Sequence, residues 1–169
     1  WLMLEIKNKK DCTGCHACWA VCPRKCIQMK PDEEGFLYPE IQLDQCIDCG
    51  ACEKVCPVLH PADTCYPLEV YAARNRDETV RMNSSSGGVF TALAEEIIRR
   101  GGVVFGASFN EDWQVVHSFT EQSEGLAAFR GAKYVQSLIG DVYHHVRCFL
   151  KQNRWVLFSG TPCQVAGLK

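Results

Sequence analysis

The chain writes one cysteine pattern twice. Residues 11 to 23 read DCTGCHACWAVCP and residues 44 to 57 read DQCIDCGACEKVCP, so C-x2-C-x2-C-x3-C-P recurs with an offset of 34 residues. Twelve of the 169 residues are Cys, and nine of these fall between Cys12 and Cys56. Such a density needs a chemical reason, and three compete: disulfides of a secreted domain, structural zinc, or iron–sulfur clusters.

A secretory leader carries its basic residues before an apolar stretch of about 7–15 residues. WLMLEI is shorter than that and precedes Lys7, Lys9 and Lys10. No run approaches the roughly 20 apolar residues of a membrane span. The expectation is a cytoplasmic protein, a setting in which disulfides are rare. Zinc usually takes ligands in two pairs, whereas these motifs offer triplets plus a fourth Cys before Pro. That spacing is the bacterial ferredoxin run, in which the fourth Cys crosses to the other cluster. On this rule Cys12, Cys15, Cys18 and Cys56 hold one 4Fe-4S cluster, and Cys46, Cys49, Cys52 and Cys22 hold the second. Gly14, Ala17, Gly50 and Ala51 leave room for tight loops that aim N–H groups at sulfur. Pro23 and Pro57 stop helix continuation after the fourth ligand. IQMKPDEEGFLYPEIQL, between the motifs, alternates around a Pro/Asp/Gly turn and predicts paired strands.

After the second motif Pro57, Pro61 and Pro67 mark a linker. LEVYAARN has strand character, and VFTALAEEIIRR predicts a helix with Val89, Phe90, Leu93 and Ile97 on one face. GVVFGASF and WQVVHSFT read as strands joined by a turn at Asn110-Glu111-Asp112. DVYHHVRCFLKQN predicts a helix using Val142, Val146, Phe149 and Leu150, and RWVLFSG a buried strand. The fold class is thus an α+β dicluster ferredoxin module followed by a partial α/β domain. A formal net charge of −2 gives no basic field for nucleic acid.

Two loop-to-helix junctions offer chemistry. NSSSGGVF places Ser86, Gly87 and Gly88 before a helix, either as an ordinary Ser N-cap or as a phosphate site. No G-x-G-x-x-G follows a strand, so a Rossmann site is not indicated. In FSGTPCQVAGLK, Thr161 caps, Pro162 opens the helix and Cys163 sits where the dipole favours a thiolate; packing is the alternative. Cys26 and Cys148 read as packing residues, Cys65 as an uninterpretable linker residue, and His144-His145 as solvated or capping residues rather than metal ligands. RGAKYVQS reads as a surface strand, or as a charged-ligand contact through Arg130, Lys133 and Tyr134.

The order ferredoxin pair, SSSGGVFTALA, GASF, RGAKYVQS, VLFSGTPCQVAGLK resembles the coenzyme F-420 hydrogenase/dehydrogenase beta-subunit family over nearly the whole chain. Members are iron–sulfur flavoproteins, among them the deazaflavin-reducing subunit of methanogen hydrogenases and the reductase of 7-hydroxymethyl chlorophyll a. The resemblance implies an oxidoreductase in which two 4Fe-4S clusters exchange electrons with FAD, with the deazaflavin coenzyme F-420 as one candidate cofactor. It implies that Ser86, Gly87, Gly88, Lys133, Tyr134, Thr161 and Pro162 line a flavin or substrate site, with Cys163 as the catalytic candidate. The implied partners are a small-molecule substrate and a redox protein such as a ferredoxin, hydrogenase or dehydrogenase subunit. A non-catalytic dicluster relay docking on a partner enzyme is the rival. The expected domains are 1–60 for the clusters, 61–67 as linker, 68–152 as the N-terminal family domain and 153–169 as the start of a second domain cut short.

Overall fold

The computed structural model describes residue 6, residues 8–63 and residues 69–169. Cys65, the remainder of the linker from 64 to 67, Leu68, and all of WLMLEI except Ile6 lie outside the described residues. The elements in chain order are α1 (Ala17–Val21), β1 (Ile27–Pro31), β2 (Leu37–Ile41), α2 (Ala51–Lys54), α3 (Glu78–Met82), α4 (Val89–Arg99), β3 (Val103–Phe109), β4 (Val115–Thr120), α5 (Val142–Lys151), β5 (Val156–Phe158) and α6 (Pro162–Leu168). The fold is mixed α/β with small sheets. Two compact units emerge, one from Trp1–Thr64, Ile139–Tyr143 and Gly160–Lys169, the other from Cys65–Leu138 and His144–Ser159. Residues 139–143 and 160–169 pack with the cysteine-rich segment. Among the described residues no helix is long and apolar enough to cross a membrane.

In the cysteine-rich unit, α1 and α2 are short helices that each follow a left-handed residue at the same position of the repeat. His16 has φ 64° and Gly50 has φ 68°. Between them β1 pairs antiparallel with β2, Ile27 opposite Ile41 and Lys30 opposite Tyr38, as the alternation predicts. The connecting turn closes on Asp32, whose carboxylate accepts the N–H of Glu34 at 3.1 Å and of Phe36 at 3.0 Å. The buried apolar side chains here include Ala17, Cys18, Cys26, Ile27 and Cys56. Thiols thus supply much of what a larger aliphatic core would supply elsewhere.

Helix α6 packs on the loop of Cys15. A Cβ on Gly167 would stand 2.9 Å from the Ala17 Cβ, so only glycine permits this approach. The buried Tyr143 hydroxyl lies 2.8 Å from the Cys15 carbonyl oxygen and 3.0 Å from that of Gln164, sharing its proton between the loop and the helix.

The second unit is built on a three-stranded sheet of order β4-β3-β5, with β3 antiparallel to β4 and parallel to β5. Val103, Val104 and Phe105 of the central strand are fully buried. β5 is only half-buried because it is an edge strand, which corrects the expected buried strand. Helix α4 turns Thr91 and Ala94 inward, with Phe90, Ile97 and Ile98 packing beside Val104 and Leu126. Val89 and Leu93, expected on the inner face, are exposed. Gly102 closes the C-terminal end of the helix, its N–H donating to the Ile97 carbonyl oxygen at 2.9 Å, where a Cβ would stand 2.7 Å from the same oxygen. On α5, Val142 and Val146 are buried as expected, but Leu150 is exposed.

Two expected strands are absent among the described residues. Residues 69–75 are irregular, with Val70 and Tyr71 exposed, because the Asn75 N–H donates to the Gly87 carbonyl instead of to a ladder. RGAKYVQS is a loop, ordered by Lys133 Nζ donating to the carbonyls of Ala128 at 3.0 Å and Arg130 at 2.9 Å.

Candidate metal centres

The structure gathers the eight motif cysteines into two sets. Cys12, Cys15, Cys18 and Cys56 line one hollow of about 330 Å³ of empty space, part of it open to solvent. Cys22, Cys46, Cys49 and Cys52 line another of about 380 Å³, similarly open. In each set three thiols come from one motif and the fourth from the other. Among the described residues no group of three or more His, Cys, Asp or Glu is arranged to hold a single metal ion.

Backbone donors converge on these sulfurs. The Asp48 N–H lies 3.4 Å from Cys46 Sγ. Burial pushes the Cys12 and Cys15 thiols up, and N–H groups of Gly14 and Ala17 respectively pull them back. Cys18 is pushed up to about 12, by burial first and then by the neighbouring Cys15 and Cys12. For Cys22 burial acts upward too, but the donors at Cys26, Arg24 and Lys25 outweigh it and hold the thiol below its usual range. Thiols crowded in pairs, with N–H groups aimed at sulfur, fit a group that carries negative charge on sulfur.

Two residues in these hollows escaped the sequence reading as site residues. Cys26 lines the second hollow, and its Sγ lies 3.4 Å from that of Cys22. It is 2% exposed, so the packing expectation is met, but what it packs against is the cage. His16 lines the first hollow at 5% exposure. Its Nε2 is, among the described residues, the one buried side-chain nitrogen or oxygen without a hydrogen-bond partner. Burial pushes the imidazole down to about 4. Aligning the two motifs puts His16 opposite Gly50, the signal that would have singled it out.

Thr161, Pro162 and Cys163 lie in the same unit. The Thr161 N–H donates to Gln164 Oε1 at 2.9 Å, half of the reciprocal pattern that starts a helix. Cys163 Sγ is 3.1 Å from Thr161 Oγ1 and close enough to Cys12 and Cys15 for its charge to raise both thiols further. Pro162 borders a groove of about 890 Å³, with Val21, Lys54, His60, Val165 and Lys169 among its other lining residues. That volume falls within the range of about 300–1,000 Å³ typical of small-molecule sites.

Ser86, Gly87, Gly88, Lys133 and Tyr134 lie in the other unit. The N-cap of α4 is Gly88 in the left-handed region, with no side chain capping it, so the ordinary Ser cap is not what forms. Ser85 Oγ instead accepts the Ala132 N–H at 3.0 Å, joining the Ser-Gly loop to RGAKYVQS. Arg130 Nε donates to Thr91 Oγ1 at 3.1 Å, placing the guanidinium at the first turn of α4. Tyr134 is 96% exposed. Lys133 is pushed down by burial. Cys148, expected in the core, is half-buried on α5, with Sγ 3.4 Å from His144 Nε2. His144 and His145 are exposed, as expected.

Residues 11–59 match the family model described as a 4Fe-4S dicluster domain, and residues 70–143 match that of the coenzyme F420 hydrogenase/dehydrogenase beta subunit, N-terminal part. The chain joins a 4Fe-4S dicluster domain to a segment that matches the N-terminal part of the coenzyme F420 hydrogenase/dehydrogenase beta-subunit family. It is 26% identical to one of the subunits of the F(420)H(2) dehydrogenase of Methanosarcina mazei, across 95% of its own length and 48% of that protein's. The chain therefore spans about half the length of this relative. The VorC subunit of the ketoisovalerate oxidoreductase of Methanothermobacter marburgensis is 33% identical over 43% of the chain and 86% of VorC. A ferredoxin of Mycolicibacterium smegmatis is 38% identical over 50% of the chain and 71% of its own length. The chain thus carries an iron–sulfur electron-transfer module of the kind found in oxidoreductase subunits.

Proposed function

We propose that the chain passes electrons between two 4Fe-4S clusters and a flavin-type active site of an oxidoreductase. Cys12, Cys15, Cys18 and Cys56 hold one cluster, and Cys22, Cys46, Cys49 and Cys52 the other. The observation that carries this reading is the pair of four-thiol hollows, each completed by the fourth cysteine of the opposite motif. When bound, the clusters supply one-electron transfer. The chain's own part is to hold sulfur in a half-buried setting and to aim backbone N–H groups at it.

FAD is assigned to the family domain, its phosphates at the uncapped start of α4. Ser86, Gly87 and Gly88 form the approach, the free N–H groups of the first turn face the anion, and Arg130 stands beside them. Lys133 and Tyr134 border the same loop pair. Thr161, Pro162 and Cys163 are assigned to the small-molecule substrate, a reading supported by the groove beside Pro162. The substrate is a small molecule, and a separate redox protein exchanges electrons with the clusters.

The relay reading is favoured by one observation, the similarity to a whole ferredoxin over 71% of its length. Anaerobic preparation separates the two. Both readings require about 8 Fe and about 8 labile sulfides per chain, and stoichiometric zinc without sulfide would overturn both. Flavin absorbance copurifying with the iron supports the enzyme; its absence from an iron-replete protein that also binds no added FAD leaves the relay.

A further inference from the structure

We infer that His16 donates a hydrogen bond from Nε2 to the sulfur of the cluster held by Cys12, Cys15, Cys18 and Cys56, and thereby sets its potential above that of the second cluster. The inference rests on the ligand assignment just proposed. Its own support is separate: a buried polar atom without a protein partner, on a side chain that lines the hollow. Buried nitrogens find partners in native proteins, and the side chain that carries this one lines the sulfur cage.

The repeat supplies an internal comparison. Gly50 lines the second hollow at the equivalent position, in the same left-handed conformation, and brings no side chain. A non-glycine residue at positive φ carries a backbone cost, so His16 occupies a position where glycine would be easier. Reduction adds negative charge to a cluster, and a donor to its sulfur stabilises the reduced state more than the oxidised one. One cage has that donor and the other does not. His16 is on this reading a positioning residue for electron flow, making the two cages unequal.

The test is a potentiometric titration of the reconstituted chain followed by EPR, with iron and sulfide assayed in each sample. Cys49→Ser, which alters the second cage only, identifies the signals. Removing the donor with His16→Leu is expected to lower the potential of the first cluster by a factor of about ten in its redox equilibrium, about 59 mV for one electron, and to leave the second in place. His16→Gln, which keeps an N–H, is expected to restore most of the shift. Unchanged potentials in a fully loaded His16→Leu protein, or equal shifts in both clusters, would overturn the inference. Should His16→Leu fail to load, Gly50→His decides: it is expected to raise the second cluster's potential, and no rise sinks the idea. Failure of the ligand assignment shows differently, as wild-type protein lacking about half its iron or sulfide, and takes the inference with it.

Discussion

Replacing Tyr143 by Phe removes one oxygen from the contact between α6 and the Cys15 loop. The ring stays and the volume barely changes, so the cost is that of the hydrogen bond alone. The hydroxyl lies 2.8 Å from the Cys15 carbonyl and 3.0 Å from that of Gln164. Gln164 lies inside α6, whose ladder can use its carbonyl, so the loss falls chiefly on Cys15. A net hydrogen bond contributes about 1 kcal/mol, and a carbonyl left buried without its partner raises the figure to about 1–3 kcal/mol. If iron leaves the first cage by local opening of this contact, release accelerates roughly 5- to 150-fold. The assay is anaerobic iron release to a ferrous chelator, which resolves two phases of about equal size when the cages differ. Tyr143→Phe is expected to speed one phase, identified as the first cage because Cys49→Ser abolishes the other. Identical release curves for wild type and variant, or acceleration of the second cage, would refute the reasoning.

Three further outcomes are expected. Cys22→Ser should change the EPR signal also altered by Cys49→Ser; sharing its effect with Cys18→Ser instead would mean that the fourth ligands do not cross. Gly87→Ala should destabilise the α/β unit by about 1–3 kcal/mol, because the new Cβ would stand 2.4 Å from the Ala73 carbonyl oxygen; an unchanged melting temperature without added flavin would show that no such approach exists. His117 is pushed below its usual 6.5 by burial, while its Nε2 meets the Ser159 carbonyl at 3.0 Å and its Nδ1 the Ser137 hydroxyl at 2.9 Å. Below pH 6.5 the unfolded chain takes up a proton that the folded unit refuses, so stability is full above that value and falls as pH drops through the lower folded pKa. Urea unfolding between pH 7.5 and 5 should show this slope, and His117→Gln should flatten it; parallel slopes would discount the residue.

The cysteine framework was legible because ligand spacing is a local constraint, and the hairpin between the motifs was legible because Asp32 and Gly35 fix its turn. The sheet strands β3 and β4 were readable for the same reason. What escaped depended on distant packing. Val89 and Leu93 are better hydrophobes than Thr91 and Ala94, yet the face of α4 that packs against Val104 and Leu126 carries the smaller side chains. LEVYAARN alternates like a strand, but the Asn75 N–H at its end donates to the Gly87 carbonyl and not to a ladder. His16 is invisible to a search for ligand types at cluster spacing, since it sits between ligands and differs from Gly50 only when the two copies are laid over each other.

The hydroxyl that holds the Cys15 loop belongs to a residue 128 positions further along the chain. During synthesis at roughly 5–20 residues per second, the loop exists for on the order of ten seconds before Tyr143 and then α6 can reach it. All eight motif thiols have been made by then. The Tyr143 contact therefore closes over a cysteine framework whose residues are already complete in the chain.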